Sequence, residues 1–270
     1  MRRSILSLLA LSSLLAANAQ AAPNEAARLA AFAKLPDWTG IWEMGRPGPG
    51  QVFQSPKSGA APAGGPGREL ILPYRPDWEA RYEARQKEYA ALPDTLSPPD
   101  PTITVCSWGF PRMELGPANF EITITPEETM IVFDPSEIRH IYTDGRPHPA
   151  HLKPSPQGHT IGHWEGDVLV TDTVGLDPNL WLTSLGGQVS PKAHITERWS
   201  MQDPSHISDQ ITIDDPIAFT KPLTFTRKFH RVTDTKHQIM QNCFENDREQ
   251  MKNGYIETIY SDPSQGSGGQ

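Results

Sequence analysis

The residues most able to do chemistry are charged side chains that share strand faces with apolar ones. A strand buries every second residue, so residue parity assigns side chains to faces. In DVLVTDT, Asp172 lies on the face of two valines, and in AHITERW, Glu197 lies with Ile195 and Trp199. We expect both faces to point inward. Burial raises the pKa of a carboxyl group toward neutrality, so either residue is a candidate general acid or base.

Two arginines occupy similar positions. Arg139 shares a face with Ile141, and Arg227 lies between Phe225 and Phe229. An unpaired buried charge costs several kcal/mol, so these arginines must meet carboxylates, a ligand or trapped water. The pattern favours arginine–carboxylate anchors inside the fold. The alternative is a polar pocket in which a carboxylate performs catalysis. A β-bulge that exchanges the two faces would remove both interpretations.

The stretch IYTDGRPHP places four polar groups at a strand end: Tyr142, Asp144, Arg146 and His148. Asp144-Gly145 is a turn signal, and the simpler interpretation is a structured turn in which Asp144 accepts bonds from backbone amides. The sharper interpretation is a site at the rim of the fold. There Tyr142 and His148 would transfer protons, and Arg146 would hold a carbonyl or anionic oxygen.

Six of the nine histidines lie between residues 140 and 194, which raises the question of a metal. His159 and His163 share strand parity, but four residues of strand span about 13 Å, so they cannot hold one ion. His148, His151 and His194 stay open as a set of ligands. The chain has no H-E-x-x-H motif, G-x-S-x-G elbow, P-loop or dinucleotide fingerprint. We therefore predict no metal and no cofactor.

Short segments rich in β-branched and aromatic residues follow one another from about residue 103, with Gly, Pro, Asn or Asp in most gaps. This texture predicts a mainly β fold, either an antiparallel β-barrel of lipocalin-like type or a sandwich. Peripheral helices are predicted at 24–35 and 76–92, the second with an aromatic stripe. We expect a flexible Gly/Pro-rich loop at 45–68 and a disordered tail at 263–270.

Residues 1–21 have the features of a secretory signal peptide: a basic start, a short apolar core and A-x-A cleavage sites. We therefore expect a periplasmic or secreted protein in which residues 22–262 form one domain. In an oxidising compartment, Cys106 and Cys243 favour one disulfide. The net charge of −8 and the lack of a basic cluster argue against nucleic acid as a partner. We expect no membrane insertion after signal cleavage.

The first predicted strand carries Gly40-Ile41-Trp42, and a Gly-x-Trp there is similar to the opening of lipocalin-like barrels. A longer series resembles a family of exported, mostly uncharacterised bacterial proteins across nearly the whole chain after the signal peptide. The series is PDWTGIWE, DPT…C…G-F-P-R-M, IRHIYTDGRPHP, G-x-W-E-G-D-x-L-V-x-D-T, HITERW and TIDDP, in that order. The family supplies a pattern and no activity. Where its members often carry Cys-x-Pro-x-Gly, this chain has Cys106-Ser107-Trp108-Gly109.

These observations predict an exported enzyme that performs cofactor-independent acid–base chemistry, of lyase, isomerase or dehydratase type, on a small apolar or aromatic molecule bound in the barrel. The predicted catalytic groups are Asp172 or Glu197 as base and His148 or His194 as acid, with Tyr142 as a further proton-transfer group. The predicted substrate-binding residues are Arg139, Arg146, Arg198, Arg227, Trp164 and Trp199. Two alternatives stay open: a periplasmic small-molecule carrier, and an envelope interaction protein that docks through the helix at 76–92.

Overall fold

The computed structural model describes residues 25–44, 72–93, 95–104, 107–115, 119–134, 137–183, 186–233 and 249–258. The predictions for the signal peptide, the Gly/Pro-rich loop at 45–68, Cys106, Cys243 and the tail at 263–270 concern residues outside these ranges. Among the residues described, no helix is both long enough and apolar enough to cross a membrane.

Helices are few among the described residues, and the two longest correspond to the helices predicted at 24–35 and 76–92. They are α1 (Glu25–Phe32), α2 (Pro76–Ala90), α3 (Pro101–Thr104) and a 3₁₀ turn at Arg112–Glu114. The strands are β1 (Gly40–Met44), β2 (Leu96–Ser97), β3 (Phe120–Ile124), β4 (Glu128–Phe133), β5 (Glu137–Tyr142), β6 (His159–Glu165), β7 (Val168–Val174), β8 (His194–Asp203), β9 (His206–Asp214), β10 (Leu223–Arg231), β11 (Glu249–Lys252) and β12 (Tyr255–Thr258).

Nine of these strands close into a barrel in the order β1-β10-β9-β8-β7-β6-β5-β4-β3, and β3 pairs with β1 to complete it. This confirms the prediction of a mainly β fold, and of the two predicted architectures, barrel and sandwich, the structure has the barrel. Alternation along each strand supports closure, because every second residue points inward. Strand β9 shows this over its full length, with Ile207, Asp209, Ile211 and Ile213 buried. The remaining β2, β11 and β12 form a separate three-stranded sheet.

One pair of neighbouring strands departs from the predicted antiparallel arrangement. Strand β6 runs parallel to β5, with Ile141 beside Thr160 and Tyr142 beside Ile161. Antiparallel strands can be joined by a tight hairpin, but parallel strands need a longer crossover. Residues 143–158 provide that crossover. Its path matters for the site below, because it carries polar side chains across the outer surface of the barrel.

Helix α2 packs its predicted aromatic stripe on the barrel. It begins with Pro76, whose ring suits the first helical position. The ring centroids of Trp78 and Tyr82 lie 6.0 Å and 5.7 Å from that of buried Tyr74. Aromatic pairs of this kind contribute about 0.5–1.5 kcal/mol beyond their buried area. Trp78 and Tyr82 are therefore half-buried against the barrel.

The buried residues of the described chain form three layers in the barrel and at its end. The Trp42 cluster comprises Trp38, Trp42, Met113, Phe120, Ile122, Ile131, Phe133, Ile141, Leu169, Trp199, Ile207 and Phe229. The Phe219 cluster comprises Tyr74, Phe110, Leu176, Leu182, Val189, Ala193, Ile195, Ile211, Ile213, Ala218 and Phe219. Between them lies the charged layer, which comprises Glu114, Arg139, Thr171, Thr173, Glu197, Asp209 and Arg227, all at most 3% exposed. Strand β8 crosses all three layers, since Trp199, Glu197 and Ile195 point inward in turn.

Candidate functional site

Arg139 is the centre of the charged layer. Its Nη1 donates to Glu114 Oε1 and to Glu197 Oε1, at 2.7 Å each. Its Nη2 donates to Glu197 Oε2 and, at 3.2 Å, to Thr173 Oγ1. The guanidinium also lies 3.7 Å from the ring centroid of Phe110, a cation–π contact. The predicted arginine–carboxylate anchor is therefore confirmed for Arg139 and Glu197.

Glu197 is held as an ionised carboxylate. Besides Arg139, the indole Nε1 of Trp199 donates to its Oε1 at 3.1 Å, and the hydroxyl of Thr171 donates to its Oε2. Burial by itself raises the pKa of Glu197, but the charge and hydrogen bonds of Arg139 outweigh it and hold the pKa below its usual range. With these donors and no exposed surface, Glu197 is an anchor that a molecule from solvent does not reach.

Two carboxyl groups of the charged layer, Glu114 and Asp209, were not among the predicted site residues. No donor in the described chain reaches Oε2 of Glu114 or either oxygen of Asp209. The two groups interact with each other, and burial, with the charge of Glu197, raises the pKa of both. The pKa of Glu114 is about 8. In HISDQITID, Asp209 shares its strand face with Ile207 and Ile211, so the same alternation argument predicts that it points inward. No local pattern predicts the burial of Glu114.

The charges of this layer balance only with one added proton. Three carboxyl groups face two guanidiniums, those of Arg139 and Arg227. Arg227 Nε donates to the backbone carbonyl of Glu114 at 3.1 Å, and burial lowers the pKa of Arg227 to about 10. A proton shared by Glu114 and Asp209 makes the layer neutral and supplies their oxygens with a donor. The layer also brings three carboxylate oxygens, one from each acidic residue, within 4.8 Å of one another: those of Glu114, Glu197 and Asp209. Arg139, however, already bridges Glu114 and Glu197.

Asp172 lies on the outside of the barrel, so the inward orientation predicted from its valine neighbours is wrong. In β7 the buried positions are Leu169, Thr171 and Thr173, and the alternating positions are half-buried. The reason is chemical, because Thr171 and Thr173 point inward to bond the charged layer through their hydroxyls. In β7 the three valines therefore lie on the outer face of the barrel.

On that outer face, Asp172 joins two histidines that the sequence analysis selected. Its Oδ1 accepts from His194 Nε2 at 2.7 Å and from His148 Nε2 at 3.1 Å. The side chains of Asp172 and His194 are 39% and 43% exposed, and that of His148 is 21% exposed. Three predicted catalytic residues thus form one accessible group. Together with His159 we call it the histidine–aspartate cluster.

His159 extends this cluster through His148. Their Nδ1 atoms lie 2.8 Å apart, and the rings meet edge-on with centroids separated by 5.0 Å. Only one of two facing ring nitrogens can carry the hydrogen. Because His148 Nε2 donates to Asp172, neutral His148 accepts at Nδ1 and His159 donates. Burial, together with His148 and Arg146, lowers the pKa of His159. His159 was not a predicted catalytic residue, and its contact with His148 is a finding of the structure.

The barrel register explains why these residues meet. His159 of β6 pairs with Val174 of β7. On the other side of β7, the register brings His194 of β8 level with Val174. The two histidines therefore flank Val174 and lie about 10 Å apart at Cβ, since each strand spacing is ~4.8 Å. Asp172 is the next outward residue of β7, and His148 reaches the group from the 143–158 crossover.

Tyr142 borders the cluster, and Arg146 is engaged by Asp144. The ring centroid of Tyr142 lies 5.4 Å from that of His159, and the Arg146 guanidinium lies 4.1 Å from the Tyr142 centroid. Arg146 Nη2 donates to Asp144 Oδ2 at 2.5 Å, and the Arg146 backbone N–H donates to Asp144 Oδ1 at 3.1 Å. These bonds lower the pKa of Asp144. They form the structured turn of the simpler interpretation.

The remaining predicted binding residues pack or form ion pairs elsewhere. Trp199 and Arg227 are buried inside the barrel, and Trp164 packs against the Trp42 cluster. Arg198 lies on the outer face, in a half-exposed pair with Glu165 at 2.8 Å. Of the predicted site residues, all of which lie in the described ranges apart from the cysteines, the accessible ones that meet in one place are Asp172, His148 and His194, with Tyr142 and Arg146 beside them.

No protein-family model, curated protein or solved structure matches this chain. The likeness to a family of exported bacterial proteins therefore stays a prediction, and the function has to be inferred from the site.

Proposed function

We propose that this protein is an exported enzyme that performs cofactor-independent acid–base chemistry, of lyase, isomerase or dehydratase type, on a small apolar or aromatic molecule. The observation that carries the proposal is the pairing of His194 with Asp172. Their atoms Nε2 and Oδ1 lie 2.7 Å apart, and 43% of the His194 side chain is exposed.

Asp172 orients His194 for proton transfer. The hydrogen bond to Oδ1 fixes the hydrogen of neutral His194 on Nε2, so Nδ1 is the acceptor that faces a bound molecule. When His194 is protonated, the carboxylate stabilises the imidazolium. His194 can then accept or deliver a proton at Nδ1, which is the task of a general acid or base.

The reaction belongs on the outer face of the barrel rather than inside it. Glu197, one of the two predicted bases, is fully buried and bonded to Arg139. Asp172, the other, already accepts bonds from two histidines, so its role is to orient them. A small apolar or aromatic molecule would rest on the half-buried Val174 between the histidines, with Tyr142 as a neighbouring wall.

The two alternatives receive less support. A carrier with its ligand inside the barrel would need room where the two apolar clusters and the charged layer are packed. An envelope protein that docks through α2 would need an exposed aromatic face, but Trp78 and Tyr82 pack on the Phe219 cluster.

The test asks whether the protein forms a product and whether its formation requires His194. Purified wild-type protein and the His194→Gln variant are each incubated with mixtures of small carbonyl, hydroxy and aromatic compounds, and mass spectrometry identifies new species. The matched control is His206→Gln, because His206 forms an exposed pair with Asp203 at 2.9 Å on a different strand.

We expect a product with the wild type and with His206→Gln, and a loss of about 10²–10⁴-fold in its rate with His194→Gln. Compounds that bind and are recovered unchanged would favour the carrier. Equal product with His194→Gln would remove His194 from the mechanism.

A further inference from the structure

His148 has no ring nitrogen left for a substrate. Its Nε2 bonds Asp172 Oδ1 at 3.1 Å, and its Nδ1 lies 2.8 Å from His159 Nδ1. The side chain of His148 is also less exposed than those of Asp172 and His194. A group with both nitrogens engaged cannot exchange a proton with a bound molecule unless one of these bonds breaks. Its position makes it a link between His159 and Asp172.

The free ring nitrogens lie at the two ends of the cluster. His159 uses Nδ1 for His148, and His194 uses Nε2 for Asp172, so His159 Nε2 and His194 Nδ1 have no hydrogen-bond partner in the described chain. The register places these histidines on either side of Val174, about 10 Å apart at Cβ. A small molecule over Val174 would have one free imidazole nitrogen on each side.

We propose that His159 is the second proton-transfer group of this site and that His148 is a positioning residue. The proposal rests on the proposed function and makes it more specific. Two imidazoles on opposite sides of a substrate suit a β-elimination, such as dehydration of a molecule with an acidic C–H beside a carbonyl and a hydroxyl on the next carbon.

In the proposed elimination, His159 is the base and His194 is the acid. His159 Nε2 takes the proton from carbon, the electron pair of that C–H bond forms the C=C bond, and the C–O bond breaks. The step starts with His194 as the imidazolium, and the leaving hydroxyl takes its Nδ1 proton and departs as water. His159 ends protonated and His194 neutral, and exchange with solvent restores both.

The groups that face His159 support its role as the base. They are His148 at its Nδ1, Tyr142 beside its ring, and Arg146, which is paired with Asp144. Burial, His148 and Arg146 lower the pKa of His159, which favours the neutral ring that can accept a proton. His194 instead bonds the carboxylate of Asp172 through Nε2.

Nuclear magnetic resonance of ¹⁵N-labelled histidine tests the arrangement without a substrate. At neutral pH we expect hydrogen on Nδ1 and none on Nε2 for His159, and the reverse for His148. In His148→Gln, His159 should lose this fixed tautomer, while the signals of His206 stay unchanged. A hydrogen fixed on His159 Nε2 in the wild type would contradict the proposal.

Turnover of the product found with the wild type separates the two roles. We expect His159→Gln to lower kcat about 10²–10⁴-fold and to remove the acidic limb of the pH–kcat profile. His148→Gln should lower kcat less and keep that limb at a shifted pH. If wild type forms product and His159→Gln matches it, only this inference fails. If wild type forms no product, the proposed function fails and this inference with it.

Discussion

The charged layer and the histidine–aspartate cluster are built from similar groups and differ in access to water. Both join carboxylates to cationic or basic side chains, the charged layer through the barrel interior from β5 to β8 and the cluster on its outer face. Thr171 and Asp172 are adjacent residues of β7. Glu197 is fully buried and bonded on both oxygens, whereas Asp172 is 39% exposed and leaves a neighbouring imidazole nitrogen free. Burial therefore makes one carboxylate an anchor, and exposure leaves the other available to support chemistry.

The same contrast applies to protons. Inside the layer, Glu114 and Asp209 need a proton to balance two guanidiniums, and no exposed surface lets it exchange readily. In the outer cluster, His194 can exchange its proton with solvent. The buried proton contributes to the stability of the fold, whereas the proton of the outer cluster takes part in the proposed reaction.

Removal of the buried anchor is the largest expected effect. Glu197→Gln should lower the free energy of unfolding by about 3–5 kcal/mol, because it leaves the buried charge of Arg139 without its main partner. Urea denaturation measures this. Glu165→Gln is the matched control, since it breaks an exposed pair with Arg198 and should change the midpoint little. Equal losses in the two variants would contradict the contrast between the regions.

The pH dependence of stability is the next effect. The pKa of Glu114 is about 8 in the folded state against 4.5 for an unperturbed glutamate. The folded protein therefore holds more protons than the unfolded chain between these values. The free energy of unfolding should fall as pH rises through this window, by at most about 1.4 kcal/mol per pH unit for one group. Glu114→Gln should flatten the curve, and an unchanged slope would argue against the shared proton.

Asp209→Asn should have a smaller effect. At pH 7 the free energy of unfolding should stay within about 1 kcal/mol of the wild type, because the variant leaves two carboxylates facing two guanidiniums. Above pH 8 the variant should be the more stable protein, since it no longer needs the added proton. Denaturation at pH 7 and pH 9 measures both points. A large loss at pH 7 would mean that Asp209 is ionised in the fold.

The smallest effect on stability is expected in the outer cluster. Asp172→Asn should change the free energy of unfolding by no more than about 1 kcal/mol, because its partners remain hydrated. The same variant should reduce product formation strongly, since His194 loses its orienting carboxylate. Thermal unfolding and turnover are measured on one preparation. A destabilisation as large as that of Glu197→Gln would make Asp172 a structural anchor after all.

Much of the framework follows from local pattern. Short β-branched and aromatic segments separated by turn residues predicted a mainly β fold, either a barrel or a sandwich, and the aromatic stripe of α2 predicted the helix. Parity also placed Glu197, Arg139 and Arg227 inside, where the structure has them. These predictions hold because each depends on one strand or helix and on the general cost of exposing apolar surface or burying an unpaired charge.

The candidate site was only partly predictable. Asp172, His148 and His194 were selected for their residue types, but the reasoning placed Asp172 on the wrong side of its strand. Apolar parity failed there because Thr171 points inward and donates to buried Glu197 on the neighbouring strand β8. His159 was missed because its partner His148 arrives from a crossover.

By itself, the sequence determined the strand-rich pattern, the need of buried arginines for carboxylates, and the residue types able to transfer protons. The tertiary structure alone decided that the barrel closes with one parallel pair, that Glu114 and Asp209 complete the charged layer, and that His159 and His194 flank Val174. The physical reason is that parity is a property of one strand. Contacts between strands depend on register and on the paths of connecting loops, which no local pattern contains.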